Sequence, residues 1–164
     1  FLALLITVFA AGFVIYDFYA VFSGAPFVPL PKKDLAALVT AANVKPGQTI
    51  IDLGSGDGRV LRAFAETGAR TIGIEINPVM AVISRLLNVM GKYKNISVRR
   101  EDFWHTDFSR ADVVILYGIT GQMNKFQTKL QTELRPGARV VSYAFSFPNW
   151  PGVEKHGKVY LYHV

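Results

Sequence analysis

The stretch "IIDLGSGDGRV", residues 50–60, constrains this chain more than any other. Glycines stand at positions 54, 56 and 58, directly after a hydrophobic run. A short apolar run reads as a buried strand, and closely spaced glycines let the backbone bend tightly against a ligand before a helix begins. The stretch therefore predicts a strand–loop–helix unit with a site at the carboxyl end of the strand.

The rest of the chain repeats that alternation. Strands are predicted at 49–53, 71–75, 96–100, 112–117, 138–145 and 158–164. Helices are predicted from Asp34, as its cap, to about residue 43, then from Arg59 to about 67, over 79–90 and over 122–134. Asn77 caps the third of these ahead of Pro78, and "RPG" at 135–137 stops the last. The fold class expected is α/β, a doubly wound, mostly parallel Rossmann-like sheet with helices on both faces. Only "SFPNWPGVEKHG" joins the last two strands, too little for a crossover helix, so the C-terminal end is expected to be antiparallel.

Length and charge narrow the class. At 164 residues the chain holds one domain with a sizeable core. Residues 1–22 carry a single charge, Asp17, and at 1.5 Å per residue a helix of that length just crosses a ~30 Å hydrocarbon layer. The expectation is a single-pass transmembrane anchor in contact with membrane lipid, a proline-rich connector over 23–33 and a catalytic domain over 34–164. Lys32 and Lys33 then place that domain on the cytoplasmic side. The chain begins at Phe1 rather than Met, so residues are expected upstream.

Cysteine is absent, which excludes disulfides, thiolate metal sites and cysteine nucleophiles. His105, His156 and His163 show no paired spacing, so no metal is expected. The net charge of +6 is scattered along the chain. Its densest group, Arg85, Lys92, Lys94, Arg99 and Arg100, reads first as a solvated face, and no nucleic-acid partner is expected.

The glycine loop itself discriminates between cofactors. A dinucleotide fingerprint needs G-x-G-x-x-G, but here Arg59 occupies the third glycine's place and Gly58 comes one residue early. Asp52 precedes the first glycine and Asp57 lies inside the loop, where neither helps a pyrophosphate. Both suit a cation. S-adenosylmethionine carries a sulfonium and an α-ammonium and no phosphate, so Asp52, Gly54, Ser55, Gly56 and Asp57 are expected to hold it. Glu75, nineteen residues after Gly56, ends the second strand where an acid accepts bonds from ribose hydroxyls. Asp102 follows the third strand and suits an adenine amine, with Phe103 as its apolar flank. Asn77 is counted with this group, although its first role is the helix cap.

These residues bring a family into view. Their arrangement resembles the seven-strand class I S-adenosylmethionine-dependent methyltransferases. More closely, "PFVP" (26–29), "DLGSGDGR" (52–59), "GIEINP" (73–78), "EDFW" (101–104), "KLQTELRPGARVVSYAFSFPNW" (129–150) and "VYLYHV" (159–164) are similar to the small membrane-anchored protein-lysine methyltransferases that modify the adenine nucleotide translocase and the ATP synthase c subunit. The resemblance implies a protein substrate, itself a membrane protein with an accessible lysine. It also implies that Asp52, Gly54, Gly56, Glu75 and Asp102 bind the cofactor, with residues 26–29, Phe27 among them, over the pocket. "YGIT" (117–120) stands where DNA-adenine and glutamine methyltransferases carry an N/D-P-P-aromatic motif, which argues against a base or glutamine substrate.

Tyr117 is the expected catalytic-side residue, its hydroxyl orienting the lysine amine, and Phe145 and Trp150 are the expected substrate lip. Ser142 and Ser146 are weaker polar candidates. Two other functions stay open: a methyltransferase acting on a quinone or lipid, and a non-catalytic cofactor-binding protein.

Overall fold

The computed structural model describes residues 2–4, 6–7, 11–12, 28–117 and 120–164. Helix α1 (Lys32–Ala42) leads into β1 (Thr49–Leu53), α2 (Arg59–Ala65), β2 (Arg70–Ile74), α3 (Pro78–Met90) and β3 (Ile96–Arg99). Strand β4 (Val113–Leu116), α4 (Met123–Glu133), β5 (Arg139–Tyr143), β6 (Glu154–His156) and β7 (Val159–His163) follow. The strands form one sheet in the order β3-β2-β1-β4-β5-β7-β6. Strands β1 to β5 run parallel, while β7 pairs antiparallel with both β5 and β6. The antiparallel end is as expected. Strand β6 hides in the short connection: its three residues, Glu-Lys-His, are all exposed and show no apolar signal.

Alternate residues of the central strands feed two cores. Ile51, Leu53, Ile74, Val114 and Leu116 face α4 through Phe126 and Leu130. Ile50, Val113, Ile115 and Val141 face α1 and α2 through Leu38, Ala42 and Phe64. That period of two is what a sheet covered on both faces requires. The core extends back to Leu30, which is 5% exposed, so part of the predicted connector belongs to the domain.

The membrane reading is corrected. Among the described residues no helix is long and apolar enough to cross a membrane. A span needs about 20 residues of continuous apolar helix, whereas the longest described helix, α3, has 13. The expected transmembrane helix over 1–22, its lipid contact and the single-pass, cytoplasmic-side placement are therefore not supported. Most of that run, residues 1, 5, 8–10 and 13–22, lies outside the described residues, as do 23–27 of the connector.

Parallel register levels the strand ends. Asp52 stands beside Gly73 of β2 and Ile115 of β4, and Leu53 beside Ile74 and Leu116. The loop after β1 folds back onto β2, with Gly54 and Ser55 N–H both donating to the Ile74 carbonyl at 2.9 and 3.1 Å. Gly73 permits that approach. A Cβ there would lie 2.5 Å from Ser55 Oγ and 2.6 Å from Leu61 Cδ1.

Gly73→Ala should therefore destabilise the protein by about 1–3 kcal/mol, the cost of overpacking a filled core. Gly121→Ala, where nothing lies within 4 Å of the added carbon, should not. Urea unfolding of the two variants decides, and equal midpoints would show that the loop yields without cost.

Candidate active site

The loop between β1 and α2 turns through Gly54, Gly56 and Gly58, whose φ values of 73°, 53° and 78° lie in the left-handed region that residues with a Cβ avoid. Beside Gly54 lies open space, whereas a Cβ on Gly58 would meet Ser84 Oγ at 2.2 Å. One glycine thus opens the loop and the other lets α3 pack against it.

Two carboxylates meet there in different ways. Glu75, 7% exposed, accepts from Gly56 N–H at 2.8 Å through Oε2 and from Asn77 N–H at 2.7 Å through Oε1. Burial pushes its carboxyl up, and the N–H groups of Asn77, Gly56 and Ile76 pull it part of the way back. Asp52, 5% exposed, has no such help: its Oδ2 is buried without a hydrogen-bond partner. Burial first, then the charges of Glu75 and Asp57, push the Asp52 carboxyl up to about 7. Ser55 Oγ is likewise buried and unpartnered. Unpaired buried polar atoms cost roughly 1–3 kcal/mol each, which marks Asp52 and Ser55 as groups with hydrogen-bonding capacity left for a partner.

Asp57 behaves differently. Its carboxylate is held by Arg59 through Nε at 3.0 and 3.1 Å and Nη2 at 2.7 Å. Burial would raise its carboxyl, but the Arg59 bonds outweigh that and keep it below the ordinary range. Arg59 Nη1 also donates to the Leu30 carbonyl at 3.1 Å. Arg59, in the place of the missing third glycine, therefore latches the loop to the entry of α1 through Leu30 and grips Asp57 within the loop.

Asn77 caps α3, accepting from Val79 and Met80 N–H at 2.9 and 3.1 Å. Asp102 accepts from Trp104 N–H at 2.9 Å and keeps Oδ2 3.5 Å from His105 Nδ1. Phe103 packs against both Trp104 and Phe126, centroids 5.0 and 5.2 Å away, and Trp104 itself stacks on Phe126 at 4.6 Å. Phe27 lies outside the described residues.

On the other side of the loop Tyr117, 36% exposed, follows the last residue of β4. Its ring meets Tyr143 edge-on at 5.0 Å and 87°, and stacks with Phe145 at 6.1 Å. Ala144, between these two partners, has φ 67°, and that kink ends β5. Phe145 also lines a cavity of about 400 Å³ with Met123, Asn124, Pro148 and Tyr160. Trp150 is not at this lip. It is 6% exposed, packs on Phe147 and Tyr162, and donates its indole N–H to the His163 carbonyl at 3.2 Å. Ser142 is buried and donates to the Phe145 carbonyl, whereas Ser146 is exposed.

The donor set fits a cation without phosphate. Carboxylates at the ends of β1 and β2, one of them unpaired, repel an anion and attract a sulfonium or ammonium. The strand order and these strand-end acids define a class I S-adenosylmethionine-dependent methyltransferase fold. A family model described as the ANTKMT methyltransferase domain matches residues 52–154, and the chain belongs to that family.

Among its relatives, the Xenopus laevis lysine N-methyltransferase of the ATP synthase c subunit is 34% identical over 126 residues, covering 76% of this chain and 55% of the relative. A protein-lysine N-methyltransferase of Saccharolobus islandicus (strain REY15A) is 33% identical over 129 residues, 76% of this chain and 80% of the relative. The chain thus spans about half the length of the animal relatives it matches. An RNA methyltransferase from Salinibacter ruber, in complex with S-adenosyl-L-homocysteine, superposes with a TM-score of 0.74 at 33% identity, over 82% of this chain and 91% of that one.

The Asp52 environment sets a pH dependence for the unliganded protein. A folded-state carboxyl raised from 3.8 to about 7 binds protons that the unfolded chain has released, so its contribution falls as pH rises between those values. Asp52→Asn should remove that slope and raise the melting temperature above pH 7. Thermal melts across the range check it, and an unchanged slope would mean that Asp52 ionises normally.

Proposed function

We propose that this chain binds S-adenosylmethionine through residues 52–56, Glu75 and Asp102–Phe103 and methylates a lysine side chain of a protein, releasing S-adenosylhomocysteine. The catalytic domain is residues 34–164, extended back to Leu30. The observation that carries the reading is the buried, unpaired Asp52 carboxyl, whose titration is coupled to the Glu75 carboxylate. The protein-lysine methyltransferases among its relatives supply the substrate class.

When bound, S-adenosylmethionine supplies an electrophilic methyl on a sulfonium. The residues of the chain provide orientation and desolvation. Glu75, held rigid by two backbone N–H groups, presents its remaining lone pairs to a ribose. Asp52 balances a cationic neighbour, and Asp102 offers Oδ2 to an exocyclic amine. A lysine at the reference pKa of ~10.4 is neutral in only about one molecule in two thousand at pH 7. An aromatic corner of Tyr117, Tyr143 and Phe145 disfavours the ammonium form by excluding water, and a cation nearby adds to that. The Tyr117 hydroxyl accepts or donates a single bond to hold the amine in line, and positioning of this kind supplies much of the acceleration in displacement reactions. The cavity beside Phe145 accommodates the residues that flank the target lysine.

The test supplies tritiated S-adenosylmethionine with proteins, RNA and lipids extracted from the cells that make this protein. Label should stay with protein after nuclease digestion and organic extraction, and acid hydrolysis should release it as methyl-lysine. Label in RNA, or in a lipid or quinone fraction, would overturn the lysine reading. Glu75→Ala should weaken S-adenosylhomocysteine binding by about 1.5–3 kcal/mol for each charge-assisted bond lost. Calorimetry showing an unchanged affinity would remove Glu75 from the ribose.

A further inference from the structure

The entry to α1 touches both halves of the site. On one side the Leu30 carbonyl accepts from Arg59 Nη1, and Arg59 grips Asp57 of the glycine loop. On the other, Asp34 Oδ2 accepts from Tyr143 Oη at 2.7 Å, a bond that spans 109 residues of sequence. Asp34 is not the helix cap: Pro31 occupies that position and makes no side-chain bond, so the Asp34 carboxylate is directed across to β5. Tyr143 is 4% exposed and is the ring against which Tyr117 stands edge-on at 5.0 Å.

A phenol tied to a carboxylate at one end and packed in a core along its length has one orientation. Burial, and next the bond to Asp34, push the Tyr143 hydroxyl up to about 12, so it stays a donor rather than a base. Tyr117 follows the last residue of β4 and is partly exposed; among the described residues its aromatic partners are Tyr143 and Phe145. The angle of the Tyr117 ring therefore depends on a bond made by a helix far away in sequence.

We propose that Asp34 and Tyr143 are positioning residues for methyl transfer, the turn over 30–34 acting as a strut that fixes Tyr117 and ties it to the glycine loop. The proposal rests on the lysine-methyltransferase reading. It makes the start of α1 a working part of the site, not only a cover for the sheet. Neither residue touches the reacting atoms; each acts through the ring of Tyr117.

The experiment uses the full chain carrying 3-fluorotyrosine, with the Tyr117 fluorine resonance assigned from Tyr117→Phe. Asp34→Ala and Tyr143→Phe should each move or broaden the Tyr117 resonance in the unliganded protein, with the double variant adding nothing further. Both should lower kcat for the labelled protein fraction by about tenfold, the cost of a modest misplacement, while leaving the S-adenosylhomocysteine affinity unchanged. Asp34→Asn, which keeps an acceptor for the phenol, should retain most of the rate. An unmoved resonance with wild-type rates would overturn the proposal, as would an affinity loss matching the loss of rate or an Asn variant as damaged as Ala. A wild-type protein that bound no S-adenosylhomocysteine would instead sink the methyltransferase reading, and the fluorine resonances would still report on the strut.

Discussion

Everything at this site depends on the burial of Asp52 next to Glu75. Two carboxylates at neighbouring strand ends repel, and removing them from water adds to the cost. Glu75 is compensated by two backbone N–H groups of the loop and helix entry that surround it. Asp52 is not. The fold supports that imbalance with two packed cores on either face of the central strands, whose residues, such as Ile50, Val113 and Val114, are almost wholly buried. A positive charge beside Asp52 and Glu75 would offset both their mutual repulsion and the cost of their burial.

The glycine loop is also a mechanical junction. Gly73 admits it onto β2, Gly58 admits α3, and the Arg59–Asp57 pair closes it against the entry of α1. From that entry Asp34 reaches β5 and, through Tyr143, the ring of Tyr117. The glycine loop and the Tyr117 ring are thus joined by side chains on rigid elements, and under the proposed function such a link would hold a reacting pair in line. Phe145 belongs to both the aromatic corner and the neighbouring cavity.

Much of this is legible in the amino-acid sequence. Val- and Ile-rich runs separated by helical patterns set the parallel strands, and the short Pro/Gly-rich connection sets the antiparallel end. The strand-end acids Asp52, Glu75 and Asp102 stand out because turns alone do not need carboxylates at three successive strand ends. What escapes depends on long-range contact. The Arg59–Asp57 pair escapes notice because Arg59 reads only as a broken glycine motif. Asp34 looks like a cap because its bond to Tyr143 crosses most of the chain. Trp150 looks like a lip residue because it follows β5, yet the return of β7 buries it. The apolar front of the chain suggests a span from composition alone, whereas among the described residues no helix is long and apolar enough to cross a membrane.

The central claim is that an unpaired, proton-holding Asp52 is the receptor for a positive charge. Isothermal titration of S-adenosylhomocysteine just below pH 7, in two buffers of different ionisation enthalpy, tests it most directly. A cation placed beside Asp52 lowers its carboxyl from about 7, so binding should release roughly half a proton, and the measured heats should differ between buffers. The release should vanish in Asp52→Asn. Equal heats in both buffers for the wild-type protein would contradict the account.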